Sequence, residues 1–406
     1  MTPPPVPVPL DSTGGILDQI DTLRGEPPQK VTVFSGVTAW VITKGADLKA
    51  LATDRRVSRD PKHWPGLPAN AAQSALAPWV SPSMLNADGA DHKRLRKIIG
   101  SVFGPRRIEE MRPAITRIVD ALLDKLAASG PDEVFDLRSE FSFQIPIAVI
   151  CDLVGVPDDQ RAEMAAIIEA VVDTSLDPVA AGANSQRMWA AFQALIDYKR
   201  DRRGDDMITG LLAYHDEHGD QLSADELAAT LLLLVGAGSE TAVSLINHLI
   251  VALMANPEQL QAVLADPTRW GALVEETLRK DPPVGLLPLR YAVEDIQVGG
   301  VVIPKGDPII FAFAGHGRDP GVHADPDTWN PDRDTMDHTA FGHGIHFCIG
   351  APLARLEAQI AASAFFERFP GASLACPPED LTKRASFITN EFEILPVLLG
   401  HSPTPR

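Results

Sequence analysis

The stretch Phe341-Gly-His-Gly-Ile-His-Phe-Cys-Ile-Gly-Ala-Pro-Leu-Ala-Arg355 places Cys348 in a glycine-rich loop that runs straight into a helical pattern. Gly342, Gly344 and Gly350 permit φ > 0 and a close approach of backbone to a bulky flat object. Backbone N–H groups at the mouth of a helix, turned toward a sulfur, stabilise its thiolate, the metal-binding form of cysteine. Two plainer readings stand beside this one. A lone cysteine is usually a small buried apolar residue. His338, His343, His346 and Cys348 also suggest a zinc cluster, but no Cys-x-x-Cys pair or His-x-x-x-His partner of structural-zinc spacing occurs elsewhere.

A second chemical pattern, Val235-Gly-Ala-Gly-Ser-Glu-Thr241, lies inside the longest helix candidate. Ser223-Ala-Asp-Glu226 supplies an N-cap with a capping-box glutamate, and the apolar pattern runs to about Ala255. At ~1.5 Å per residue such a helix is roughly 50 Å long. Its core, Leu227 to Val251, is apolar enough to raise a membrane-spanning reading. Glu240, Asn247 and His248 lie within it and flanking anchors are missing, so a central buried helix is expected. Gly236 and Gly238 each cost ~1 kcal/mol of helix stability relative to alanine, and such small residues let a flat ligand or dioxygen reach the backbone. Glu240 and Thr241 put a carboxyl and a hydroxyl mid-helix, where threonine bonding back to a carbonyl opens the turn. In isolation a helix-packing notch with a satisfied polar pair explains this segment equally well. Glu276-Thr-Leu-Arg279, taken alone, is an ordinary i,i+3 ion pair worth a few tenths of a kcal/mol at a surface.

The elements that must position these groups are mostly helical. Ile108–Ala128, 160–172, 184–203 and Pro352–Phe369 carry apolar residues at three- and four-residue spacing. Val31–Thr43 reads as a hairpin or paired strands, and Gln297–Pro304 followed by Lys305-Gly306 as a strand and turn. With 45% hydrophobic residues and no internal linker or repeat, residues 11–400 are expected to form one domain. A proline-rich arm (1–10) precedes it and a tail (401–406) follows. No signal-peptide pattern opens the chain. Cys151, Cys348 and Cys376 are too few and scattered for a disulfide framework, and Cys151 sits in an apolar run. A cytoplasmic protein without membrane attachment is expected. The net charge of −18 argues against nucleic acid as a partner.

Together these patterns resemble the cytochrome P-450 family. Phe341, Gly344, the basic His346, Cys348 and Gly350 match its haem-binding loop in order and spacing. Ala237, Gly238, Ser239, Glu240 and Thr241 match its oxygen-activating segment. The resemblance runs from about Asp60 to Gly400 and is nearest to soluble bacterial members of the actinomycete type. It implies a mainly α fold with a minor β region, the family's triangular helical prism. It also implies haem b with Cys348 as axial iron ligand, a thiolate that pushes electron density toward bound oxygen. Propionate donors would be His92, Arg96, Arg290 and His346, with Phe341 and Gly350 completing the haem contacts. Thr241 would orient dioxygen and water, and Glu240 would feed protons from solvent. Glu276 and Arg279 would form a buried structural network with Arg333. The region Trp64–Met84, with Leu234, Ala237, Val284, Leu287, Thr389, Glu391 and Phe392, would line the substrate pocket.

The resemblance implies a monooxygenase that hydroxylates or epoxidises a secondary-metabolite or lipid-like molecule with dioxygen. No flavin or iron–sulfur module is legible in the chain, so electrons would come from a separate ferredoxin and ferredoxin reductase. A monomer is expected. Rival outcomes are radical cross-linking of aromatic rings in a peptide or natural product, peroxide-driven oxygenation, and a non-catalytic haem sensor. Two departures stand out: His316 and Gly317 where the family usually has asparagine before Arg-Asp, and Glu391-Phe392 where it usually has Gly-His. An inward Glu391 would favour a cationic or hydrogen-bond-donating substrate; a solvent-facing loop charge is the simpler reading. Asp91–Pro113 holds Lys93, Arg94, Arg96, Lys97, Arg106, Arg107 and Arg112 against three acidic residues. On an acidic protein this is either a solvated helix face or a landing site for an acidic ferredoxin.

Overall fold

The computed structural model describes residues 7–10, 15–33, 36–74, 76–128, 130, 133–172, 178–214 and 222–400; residues 1–6 of the expected arm and the expected tail, 401–406, lie outside them. The long helix, Ala224–Ala255, begins at the capping box: Glu226 N–H donates to Ser223 Oγ, and Ser223 N–H donates back to the Glu226 carboxylate. Two of the helix's orphan N-terminal donors are thereby satisfied. It packs against Ala351–Arg368, Gln144–Val154, Trp270–Lys280 and Pro178–Asp201. Among the described residues it is the one helix long and apolar enough to cross a membrane, and 61% of its most apolar stretch is buried inside the protein. It forms the spine of the main hydrophobic core, in which Leu231, Val235, Ile246 and Leu249 meet Ile145, Phe141, Leu273 and Phe365.

Around this helical body lie small sheets. The largest has six strands, ordered Val8–Pro9, Gln29–Thr32, Thr38–Ile42, Pro308–Phe311, Leu287–Ala292 and Val57–Ser58. Gln29–Thr32 and Thr38–Ile42 form the antiparallel pair expected of that region, with Val31 opposite Ala39. The period of two is visible in Thr38–Ile42: Ala39 and Val41 join one apolar cluster with Ile16 and Ile20, whereas Trp40 and Ile42 join another with Leu48 and Phe311. Both faces of this sheet are therefore covered.

Several expected elements differ in extent. The single helix expected over Ile108–Ala128 is two, Pro105–Glu110 and Arg112–Ala127. Pro113 in the first turn of the second lacks the N–H that would continue the first. Gln297–Pro304 is not one strand but a hairpin, Ile296–Val298 paired with Val301–Ile303. Gly299 and Gly300, at φ 56° and 83°, supply the two left-handed residues that a tight hairpin turn demands. The long helix runs unbroken through Thr241.

Candidate active site

Gly342 and Gly344 adopt left-handed φ of 78° and 77°. At Gly344 a Cβ would lie 2.8 Å from the Ala52 carbonyl oxygen, so that turn is closed to any side chain. Gly350 corrects the expectation: its φ is −80° because it already caps the helix Ala351–Arg368 in right-handed conformation. A Cβ there would come within 3.7 Å of Cys348 Sγ, so glycine keeps the space beside the sulfur clear. Cys348 N–H donates to the Phe341 carbonyl at 2.8 Å and closes the loop. Burial raises the Cys348 thiol, while the Gly350 and Ala351 N–H groups and the charges of Arg96 and Arg355 oppose it; the balance stays above the ordinary value. A metal cation at the sulfur removes such a proton outright. Cys348 and Ala237 both present open surface.

Beside this loop the chain gathers buried cations and imidazoles. His92 and His346 lie ring to ring at 4.4 Å, and His346 Nε2 sits 3.3 Å from the Asp88 carboxylate. Burial pushes His346 down to about 4 against the opposing hydrogen bond it donates to Asp88. Arg290 lies over the Phe311 ring at 3.9 Å, on a strand whose register shifts between Leu287 and Arg290. Burial, then the neighbouring Arg59, push the Arg290 guanidinium well below its usual range. Arg59 carries no signal in the sequence; it is buried and donates to the Pro288 and Leu289 carbonyls at 3.0 and 3.3 Å. His92 Nε2, Arg290 Nη1, Arg59 Nε and Arg59 Nη2 are buried without a hydrogen-bond partner. Orphaned buried donors of positive character are costly unless an anion meets them. This donor set beside an amide-cradled sulfur fits a haem whose propionates supply the anions. Arg96 is placed differently from the other expected propionate donors: its Nη2 donates to the Phe347 carbonyl at 2.6 Å, next to Cys348.

On the long helix, Thr241 Oγ1 donates to the Ala237 carbonyl at 2.6 Å. Gly238 is a packing notch, since a Cβ there would meet Ile150 Cδ1 at 3.3 Å, whereas Gly236 faces nothing within 4 Å. Glu240 is buried and held by Arg138, whose Nη2 lies 3.0 Å from one carboxylate oxygen, with Arg384 Nη1 at 3.4 Å. Neither arginine was legible as a partner, because each lies more than a hundred residues from Glu240 in sequence.

Glu276 and Arg279 form a two-pronged pair at 2.7 and 2.9 Å, both fully buried. Arg333 Nε joins Glu276 at 2.8 Å, and Arg279 donates to the Gly317, Pro326 and Thr328 carbonyls. Gly317 must be glycine, since a Cβ would lie 2.2 Å from the Arg279 carbonyl oxygen. The other unusual residue, His316, is buried with Nε2 3.2 Å from Asp337.

The expected pocket set separates. Val284 pairs with Thr389 as an isolated bridge, and Leu234, Ala237, Val284 and Thr389 keep some exposed surface. Leu287 packs on the cluster of Trp40 and Phe311, and Met84 lies in the helical core. Glu391 and Phe392 leave the set. Glu391 is 0% exposed, so it is neither a solvent-facing loop charge nor able to touch a substrate; Asn247 Nδ2 donates to it at 3.1 Å. Phe392 is buried against the His248 ring at 4.6 Å. The basic island is also reduced. Arg94 pairs with Glu226, Arg106 with Glu110, Arg107 with Asp205 and Arg112 with Glu109. Lys93 and Lys97 are exposed.

The Cytochrome P450 family pattern matches residues 271–391. A 2-hydroxy-5-methyl-1-naphthoate 7-hydroxylase of Streptomyces carzinostaticus is 42% identical over 92% of this chain and 92% of its own. The solved structure of CYP154A1 from Streptomyces coelicolor A3(2) is 42% identical, covers 97% of this chain and 100% of its own, and superposes with a TM-score of 0.89. The cytochrome P450 CxnD, described as acting in C–S bond formation in chuangxinmycin biosynthesis, is 30% identical with a TM-score of 0.86, covering 98% of this chain and 99% of its own. With its mainly helical fold superposing on these structures and 42% identity to a bacterial hydroxylase over 92% of both chains, the chain belongs to the cytochrome P450 family, among its bacterial monooxygenases.

Proposed function

We propose that the protein hydroxylates or epoxidises a medium-sized, largely apolar secondary metabolite or lipid-like molecule. The supporting observation is the amide-cradled Cys348 beside the unpartnered buried donors of His92, Arg290 and Arg59. Cys348 would bind haem iron, and His92, His346, Arg290 and Arg59 would hold the propionates. Bound haem supplies activation of dioxygen, so that substrate, one O2, two electrons and two protons give oxygenated product and water. The chain's own part is to hold and move protons. The Thr241 hydroxyl sits one residue beyond Glu240, and Glu240 is anchored by Arg138 and Arg384. Thr241 would position water and dioxygen, and Glu240 would relay protons to it. Val284, Ala237 and Thr389 would border the substrate, a largely apolar wall with one hydroxyl of the kind small-molecule sites use.

Electrons would enter from a separate acidic ferredoxin and its reductase. Lys93 and Lys97 are exposed on the helix that carries His92, and Ile345 and Phe347, beside Cys348, are exposed apolar residues. A cationic rim around an apolar centre is suited to a small acidic partner.

Oxidative coupling is the second reading, favoured by the likeness to a relative named for C–S bond formation. Turnover under isotopically labelled dioxygen, with ligands chosen by their shift of the haem Soret band, tests the choice. Hydroxylation puts one labelled oxygen atom in the product. A product lacking the label and short of two hydrogens would establish coupling instead.

A further inference from the structure

Glu240, Ser244, Asn247 and His248 recur at three- and four-residue spacing and form one buried polar stripe along the long helix. The segment 383–392 runs opposite, its ends bridged through Lys383 and Phe392. Ser244 Oγ donates to the Asn390 carbonyl at 2.6 Å, and Lys383 Nζ donates to His248 Nε2 at 2.7 Å. Arg384 reaches Glu240 with its guanidinium at 3.4 Å and donates its backbone N–H to the Glu391 carbonyl at 2.9 Å. Glu391 therefore shares one buried seam with Glu240, bordered by the partly exposed Lys383 and Arg384. Its Oε1 accepts from Asn247 at 3.1 Å and from Phe392 N–H at 2.6 Å, whereas its Oε2 is buried with no partner. An ionised oxygen left bare in such a place is heavily penalised, and a proton on it removes the penalty.

We infer that Glu391 is a proton-holding residue of the oxygen-activating helix, one that acts through Glu240 to supply the Thr241 hydroxyl. The inference rests on the oxygenase reading above. The step moves one proton and no electrons. The O–H bond at Glu391 Oε2 breaks and one forms at Glu240. Glu240 then gives its proton to Thr241 Oγ1 as the threonine's own hydroxyl proton passes on to the water it positions, and Glu391 regains a proton from solvent on the partly exposed Lys383–Arg384 side. Burial, and next the Glu240 carboxylate, push the Glu391 carboxyl up to about 7. The charged and titratable groups around it are Glu240 and His248 of the long helix, Arg138, Lys383, Arg384, and Asp281, which acts on Lys383. Burial, then Lys383, push His248 down to about 3, so it stays neutral over the working range and accepts the Lys383 hydrogen bond.

Infrared spectroscopy of the ferric holoenzyme in H2O and D2O reads the proton without turnover. Glu391→Gln keeps the acceptor for Asn247 and Phe392, and Glu391→Asp keeps a titratable group in the seam. The expected result is a protonated-carboxyl band component that titrates near pH 7 and vanishes in Glu391→Gln. The component from Glu357, a second carboxyl pushed by burial to about 8, should persist as an internal reference. Product formed per reductant consumed should fall roughly tenfold or more in Glu391→Gln, as losing a proton-transfer group typically does. It should lose its pH dependence near 7 in that variant and keep a pH dependence in Glu391→Asp. A band unchanged in Glu391→Gln overturns the inference. So does a band that is lost while the pH profile of coupling stays that of the wild type, which would leave Glu391 a purely structural group. Failure of the underlying oxygenase reading would show separately, as wild-type coupling in Thr241→Ala.

Discussion

Arg138 clasps Glu240 from across the fold, with Nη2 at 3.0 and 3.2 Å from the two carboxylate oxygens and both side chains buried. Taking away one partner of a buried ion pair leaves the other uncompensated, at a cost of roughly 3–5 kcal/mol. Arg384 offers partial replacement. Arg138→Met should lower the urea midpoint, and adding Glu240→Gln should restore part of the loss. Strictly additive losses in the double variant would mean the two residues do not act as a pair.

Thr241→Ala should retain haem and substrate binding yet divert reducing equivalents to peroxide. The hydroxyl that donates to Ala237 in the resting protein is the one available to hold water and dioxygen. Proton-transfer groups typically contribute ~10²–10⁴-fold, so product per reductant consumed should drop clearly. Wild-type coupling would remove Thr241 from oxygen activation and favour peroxide-driven or coupling chemistry.

Glu275 ties the helix that follows Cys348 to its neighbour, accepting from Arg355 at 2.6 and 2.9 Å and lying 3.0 Å from His338 Nε2. Burial raises its carboxyl, but the hydrogen bonds from Arg355 and His338 outweigh that and hold it at about 2. A depressed folded-state value contributes stability that is present above the unfolded value, about 4.5, and is lost as pH falls through about 2. Wild type should therefore exceed Glu275→Gln by about 3 kcal/mol at pH 7, with the gap closing between pH 4.5 and 2. Unfolding titrations across that range measure it; a gap independent of pH would point to packing instead.

Electron transfer from an acidic ferredoxin should slow as salt rises, because exposed charges steer encounter and are screened within ~10 Å at 0.1 M. Reversing Lys93 and Lys97 to glutamate should slow haem reduction several-fold while leaving substrate-induced spectral shifts intact. The same reversal at Arg106 and Arg107 should matter less, since they lie on the separate helix Pro105–Glu110 and not on the one that carries His92. Equal effects at both pairs, or none at either, would place the partner elsewhere.

Local chemistry carried much of the architecture into the sequence. The Ser223–Glu226 box and the glycines before Cys348 act within a few residues, so helix start and loop were legible there. Arg59, Arg138 and Arg384 were not, because an isolated arginine looks like a surface charge until the fold buries it beside Pro288 or Glu240. The place of Glu391 is hidden from the sequence for the same reason: its partner Asn247 lies 144 residues away. The split at Met111 and the Gly299-Gly300 turn were written in the sequence but outvoted by the apolar periodicity around them.

The reduced carbon monoxide complex is the most direct test of Cys348 as the thiolate ligand. Wild type, Cys151→Ala and Cys376→Ala should all show the red-shifted Soret band of thiolate ligation, and Cys348→Ala should lose it. Cys151 is closed inside the main hydrophobic core, where no flat ligand reaches its sulfur, whereas the Cys348 sulfur lies on an exposed residue. A thiolate-type band surviving in Cys348→Ala would contradict the account.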